Sequence, residues 1–104
     1  MLRIYSFIIE TLRKIAPVVR AVGKHDPDLA RQLRRAASSI ALNTAEAVGS
    51  HGGNEKARFR TALGSTQETR ACLDVAEVFG YVDADARLRD DLDRIAATLF
   101  RLIE

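Results

Sequence analysis

Residues 35–46 read RAASSIALNTAE and residues 58–68 read RFRTALGSTQE. Neither stretch contains proline, and the first is rich in alanine, which favours helix. Each puts small or polar groups (Ser39, Asn43, Glu46, Ser65, Glu68) where a bundle-forming helix usually carries larger aliphatics. On a helical wheel, Gln32, Arg35, Ser39, Asn43 and Glu46 form a ridge of three- and four-residue steps beside an apolar stripe. Thr61, Ser65, Glu68 and Cys72 form a matching ridge on the next helix. Two such ridges facing each other describe a close, polar helix–helix seam. Carboxylates inside it would need arginine or amide partners, and Arg35 and Arg58 are the candidates. An ordinary solvated flank has the same spacing, so two readings of these ridges stand.

Outward from these stretches, four helical segments and three breakers cover nearly the whole chain. The first spans about residues 2–22, with Ile4, Tyr5, Ile8, Leu12, Ile15, Ala16, Val19 and Val22 on one broad face. Pro17 lies on its polar side, where the helix is expected to bend or restart; Gly23 ends it. Asp26-Pro27-Asp28 opens the second as N-cap, first helical residue and dipole complement. That helix runs to about Val48, with Leu29, Leu33, Ala36, Ile40, Thr44 and Ala47 inward and Gly49 as the stop.

Ser50-His51-Gly52-Gly53 reads as a turn and Asn54 as the next cap. The third helix follows from about Glu55 to Phe79, with Phe59, Ala62, Thr66, Thr69, Leu73, Ala76 and Phe79 inward and Gly80 closing it. Asp83 or Asp85 caps the fourth, where Leu88, Leu92, Ile95, Leu99 and Leu102 recur at steps of four and three. Helices of similar length joined by short connections make neighbours antiparallel. An all-α, up-and-down four-helix bundle in one domain, 1–104, is the expected fold.

Composition narrows the function classes. The chain has 104 residues and a formal net charge of +2. Residues 1–70 hold 12 Lys/Arg against 6 Asp/Glu, whereas residues 71–104 hold 4 against 8. A split of this kind fits a basic face that meets nucleic acid, or opposite faces of neighbouring subunits that attract. The one cysteine excludes an intrachain disulfide and fits a reducing cytoplasm. No apolar run approaches the ~20 residues of a membrane span, so no membrane partner is expected.

Catalytic and metal chemistry find no foothold. A di-iron bundle needs Glu-x-x-His units, which do not occur. His25 and His51, the two histidines, fall in connections. Cys72 sits mid-helix near acidic Asp74 and Glu77 and reads as a buried structural thiol. His51-Gly52-Gly53-Asn54 lacks the lysine spacing of a nucleotide loop. The expectation is a non-enzyme with no catalytic residues, metal or cofactor. Arg31, Arg34, Arg35, Lys56, Arg58 and Arg60 are the candidate nucleic-acid contacts, although Phe59 is the sole aromatic near them.

The run Leu33-Arg34-Arg35-Ala36-Ala37-Ser38-Ser39-Ile40, Asn43-Thr44-Ala45-Glu46, Arg58-Phe59 and Ala62-Leu63-Gly64-Ser65 with Glu68, followed by Gly80-Tyr81, resembles the four-helix-bundle family of 23S rRNA intervening-sequence proteins. The Avd accessory proteins of diversity-generating retroelements share that fold. Thr44 stands where the family has isoleucine, Ala47 replaces a glycine, and Arg60 stands where an aliphatic is common. The resemblance implies protomers that assemble as a ring, typically a homopentamer, with a basic surface or channel. It also implies RNA or DNA, and in the retroelement members a reverse transcriptase or other nucleoprotein, as partners. It assigns Ser39, Asn43, Glu46, Ser65 and Glu68 to helix-packing or subunit contacts. The alternative is a structural protein–protein interaction module that binds no nucleic acid.

Overall fold

A computed structural model describes residues 3–50 and 53–104. The described residues form four helices and no strands: α1 (Arg3–Gly23), α2 (Pro27–Val48), α3 (Gly53–Val78) and α4 (Ala86–Ile103). They pack as an elongated bundle of 43 × 23 × 19 Å in which, among neighbouring helices, α2 meets α3 most extensively and α1 meets α4 least. The long dimension is that of its helices, since 26 residues at 1.5 Å each give about 39 Å.

Each boundary has a local cause. Asp26 accepts a hydrogen bond from the Leu29 amide at 3.0 Å and Pro27 occupies the first turn of α2. Asp85, not Asp83, does the same for α4 through the Leu88 amide at 3.0 Å. Gly49 caps α2 in a right-handed conformation, with φ −87°. Gly80 ends α3 differently, at φ +72°. The Tyr81 amide donates to the Ala76 carbonyl at 2.9 Å and the Gly80 amide to that of Glu77 at 3.0 Å. That pair of bonds is the Schellman termination, which requires a residue tolerant of positive φ. It explains why Gly80-Tyr81 belongs to the sequence pattern. Tyr81 then packs on the core and stacks on His25, ring centroids 5.1 Å apart, tying together the two connections at that end.

The core runs the length of the bundle. Ile8, Ile15, Val22, Leu33, Ile40, Phe59, Leu92, Ile95 and Leu99 are all essentially inaccessible. Each is worth about 1.5–3 kcal/mol relative to exposure. Many buried residues of α2 and α3 are small: Ala36, Ala37, Ala41 and Ala47 on α2, and Ala62, Ser65, Thr66, Thr69 and Ala76 on α3. Small side chains shorten the distance at which two helices make contact.

Four expectations change. Phe79 is 66% exposed, because α3 ends at Val78 and the chain turns before the ring can face inward. Ala16 lies on the solvent side of α1. Asn54 is inside α3, which begins at Gly53, so it does not cap that helix. Pro17 interrupts nothing: α1 is continuous through it. The expected turn at His51-Gly52 and the reading of His51 lie outside the described residues.

Candidate polar seam and nucleic-acid interface

The two ridges meet along the α2–α3 seam. Ser65 Oγ donates to Ser39 Oγ at 2.7 Å, joining α3 to α2. Asn43 Nδ2 lies 2.9 Å from Ser39 Oγ and 3.0 Å from the Ser39 carbonyl. On its other side Asn43 Oδ1 accepts from Arg58 Nη1 at 3.4 Å, and the same nitrogen pairs with Glu46 Oε2 at 3.0 Å. A continuous chain of polar contacts therefore runs Ser65–Ser39–Asn43–Arg58–Glu46 and crosses between the helices more than once.

Burial grades along the chain. Ser65 is 9% exposed, Ser39 and Asn43 are half-buried, and the Arg58–Glu46 pair is open to solvent. The inner hydroxyls are thus exchanged against each other, while the outer ion pair is worth under about 1 kcal/mol once solvent screening is counted.

Shallow hollows flank this chain. One, of about 510 Å³, is lined by residues that include Arg31, Gln32, Arg35, Ser65 and Glu68. The other, of about 440 Å³, is lined by Arg34, Arg35, Leu42, Asn43 and Arg58 among others. Arg35 and Ser39 border both, so the seam opens to either side of the Ser39–Ser65 bond. Its charge is mixed, with Asp28, Glu46 and Glu68 among the arginines.

The candidate cations do not all gather here. Arg31 pairs with Asp28 one turn earlier. Arg34 and Arg35 are exposed and have no carboxylate partner among the described residues. Lys56 points to the other side of α3, where its Nζ donates to the Glu104 main-chain oxygen at 3.2 Å. Arg60, one turn further on, shares that side by helical spacing. Glu68 is exposed, lines the hollow and makes no ion pair or hydrogen bond among the described residues.

Glu68 still acts at a distance. Burial pushes the Cys72 thiol above its ordinary pKa, and the Glu68 carboxylate adds to the rise. Cys72 is buried and protonated, the state opposite to that of a nucleophilic cysteine. Among the described residues no cluster of His, Cys, Asp and Glu could hold a metal ion. No described helix is long and apolar enough to cross a membrane.

Sequence reasoning did not single out Leu42, which is 64% exposed and lines the seam beside Arg34 and Arg35. A large aliphatic off the inner stripe at position 42 is the signal that would have found it.

An all-α, up-and-down bundle whose second and third helices share a hydroxyl–amide seam is the class these features define. The 23S rRNA-intervening sequence protein family matches residues 2–101, and the chain belongs to that family. A similar solved structure is that of a protein with unknown function from the S23 ribosomal protein family of Bacteroides thetaiotaomicron VPI-5482. The likeness has a TM-score of 0.90 at 18% identity and covers 97% of this chain and 98% of that one. At that identity it speaks for the fold. No curated protein matches the chain.

Proposed function

We propose that the protein is a non-catalytic helical bundle that assembles with copies of itself and binds nucleic acid through arginines at the rim of the α2–α3 seam. The observation that carries this reading is where the charge goes. Much of the acidic surplus of the C-terminal third is engaged within the protomer. Asp74 and Glu77 hold Arg89, Asp91 takes Lys14 at 2.7 Å, Asp93 takes Arg70 at 3.0 Å, and Asp85 caps α4. The basic surplus is not balanced in the same way, since Arg34 and Arg35 at the seam, and Arg60 on the other side of α3, are exposed without a carboxylate partner among the described residues. Guanidinium groups left in that condition suit phosphate. Exposed Leu42 and the outer part of the polar seam offer a face for a second protomer, and the family's description ties it to an insertion in 23S rRNA.

Filter binding of structured RNA at two salt concentrations tests the reading. Affinity should fall steeply as salt rises, because each neutralised phosphate releases counterions. Absence of binding at low salt removes it.

A second reading, an interaction module without nucleic acid, draws on the exposed apolar residues Leu42, Val78, Phe79 and Phe100. Replacing Arg34, Arg35, Arg58 and Arg60 with Ala separates the two. Loss of RNA binding with assembly intact supports the first; loss of assembly supports the second.

A further inference from the structure

The last helix, from the acidic third of the chain, carries a row of arginines on one edge. Arg87, Arg94 and Arg101 recur at seven-residue intervals, which places them about 10 Å apart along α4 with only about 20° of drift per step. All three are exposed, and none has a carboxylate partner among the described residues. The row follows the seam between α4 and α1. Arg94 lies over the Phe7 ring of α1, its guanidinium carbon 4.5 Å from the centroid, and Lys14 of α1 bonds Asp91 of α4.

Two hollows sit along this seam and share Arg94. One, about 340 Å³, is lined by Arg3, Ile4, Phe7, Arg94 and Thr98; the other, about 410 Å³, by Lys14, Arg87, Asp90, Asp91 and Arg94. Of their two carboxylates, Asp91 is neutralised by Lys14, leaving Asp90 against Arg3, Arg87 and Arg94. The α1–α4 contact is the least extensive between neighbouring helices, which leaves the groove open to a partner.

We propose that the α1–α4 seam is a second nucleic-acid track, on which the phosphodiester backbone of a single strand is held by Arg87, Arg94 and Arg101, with Arg3 at its end. Regularly spaced, unpaired guanidinium groups match a polymer that repeats its charge at regular intervals. Phe7 orients Arg94 through its ring face, so less side-chain freedom is lost on contact. The track lies across the bundle from Arg34 and Arg35, and one strand can be gripped on both sides of a protomer. This inference rests on the nucleic-acid reading above and adds the surface.

The test is fluorescence anisotropy with a labelled single-stranded RNA across a salt series, with circular dichroism of every variant. The triple variant R87A/R94A/R101A is expected to weaken binding about tenfold at low salt and to flatten the log–log salt slope by about 2, the share of three released phosphate contacts. Changing the same three residues to Lys should preserve most of the slope. If the Ala triple loses helicity, R87A/R101A leaves Arg94 on Phe7 and should flatten the slope by about 1.4.

Unchanged affinity and slope in the Ala variant, with R34A/R35A weakened, would overturn the second track while the nucleic-acid reading stands. No RNA binding by the unaltered protein would remove both. An equal loss in the Lys variant would show that charge does not set the contact. A polyglutamate peptide that binds as tightly as RNA at equal salt would assign the row to an acidic protein partner instead.

Discussion

Ser65 and Ser39 are joined across the α2–α3 interface by a 2.7 Å hydroxyl–hydroxyl bond, in a place where most bundles put two aliphatic side chains. The bond fixes register between two helices whose buried residues include many alanines and threonines. Ser39 also meets the Asn43 amide, so its oxygen is shared between neighbours on both helices.

Ser65→Ala removes one partner but leaves Asn43 on Ser39, and should cost about 1 kcal/mol. Ser65→Leu must force the helices apart and should cost more, about 1–3 kcal/mol. Urea unfolding of the two variants checks the order. A leucine variant as stable as the alanine one would mean that the two helices can part at this point without cost.

Thr44 is fully buried, and its hydroxyl makes no hydrogen bond among the described residues. Three other buried threonines solve the same problem locally. Thr11, Thr66 and Thr69 donate to the carbonyls of Phe7, Ala62 and Ser65, each four residues earlier, at 2.8–2.9 Å. Replacing Thr44 with Val keeps the shape and removes the orphan, so stability should rise by about 1 kcal/mol. Thr66→Val, which deletes a satisfied hydroxyl, should gain less. Thermal unfolding of both gives the comparison.

Gly80 has positive φ with open space around its α-carbon. Gly80→Ala therefore meets no neighbour and should still lose about 1–2 kcal/mol from backbone strain alone. Gly80→Asn should recover part of that loss, since asparagine tolerates the left-handed region. Denaturation midpoints that fail to rank Gly, Asn, Ala in that order would contradict the Schellman ending.

Cys72 is held protonated in the fold by burial and by Glu68. Its folded pKa lies above the unfolded one, so the stabilisation is complete below the unfolded value and declines as pH rises through the folded value. Stability of the unaltered chain should fall in the alkaline range above that of ordinary thiols. Cys72→Ala should flatten that limb. Iodoacetamide should modify native Cys72 far more slowly than the urea-unfolded chain at the same pH.

Much of the fold was legible in residue spacing. The inward stripe of α4 and the Asp26 cap follow from periodicity and from residues with a single efficient use. The ends of α3 were harder to read, because its N-terminal turn gains a residue pair that the Gly-Gly-Asn run conceals. At the other end Phe79 looks like one more inward position until Gly80 turns the chain. The polar seam was legible as two ridges. Its wiring was not, because spacing puts Arg35 and Arg58 equally close to the carboxylates. The fold gives Glu46 to Arg58 and leaves Arg35 outside. The arginine row of α4 was hidden by arithmetic: a segment with an acidic sum can still have a basic edge, and only knowing which acids are spoken for reveals it.

The stacking of Tyr81 on His25 fastens the first and third connections to each other, so all four helices are clasped at that end. At the opposite end the bond between Lys56 and the Glu104 main chain lies at the surface. When such a bundle loosens, it should fray from the Lys56 end toward the clasp. Amide exchange would then quicken in the first turns of α1 and α3 well before it does around Val22 and Ala76.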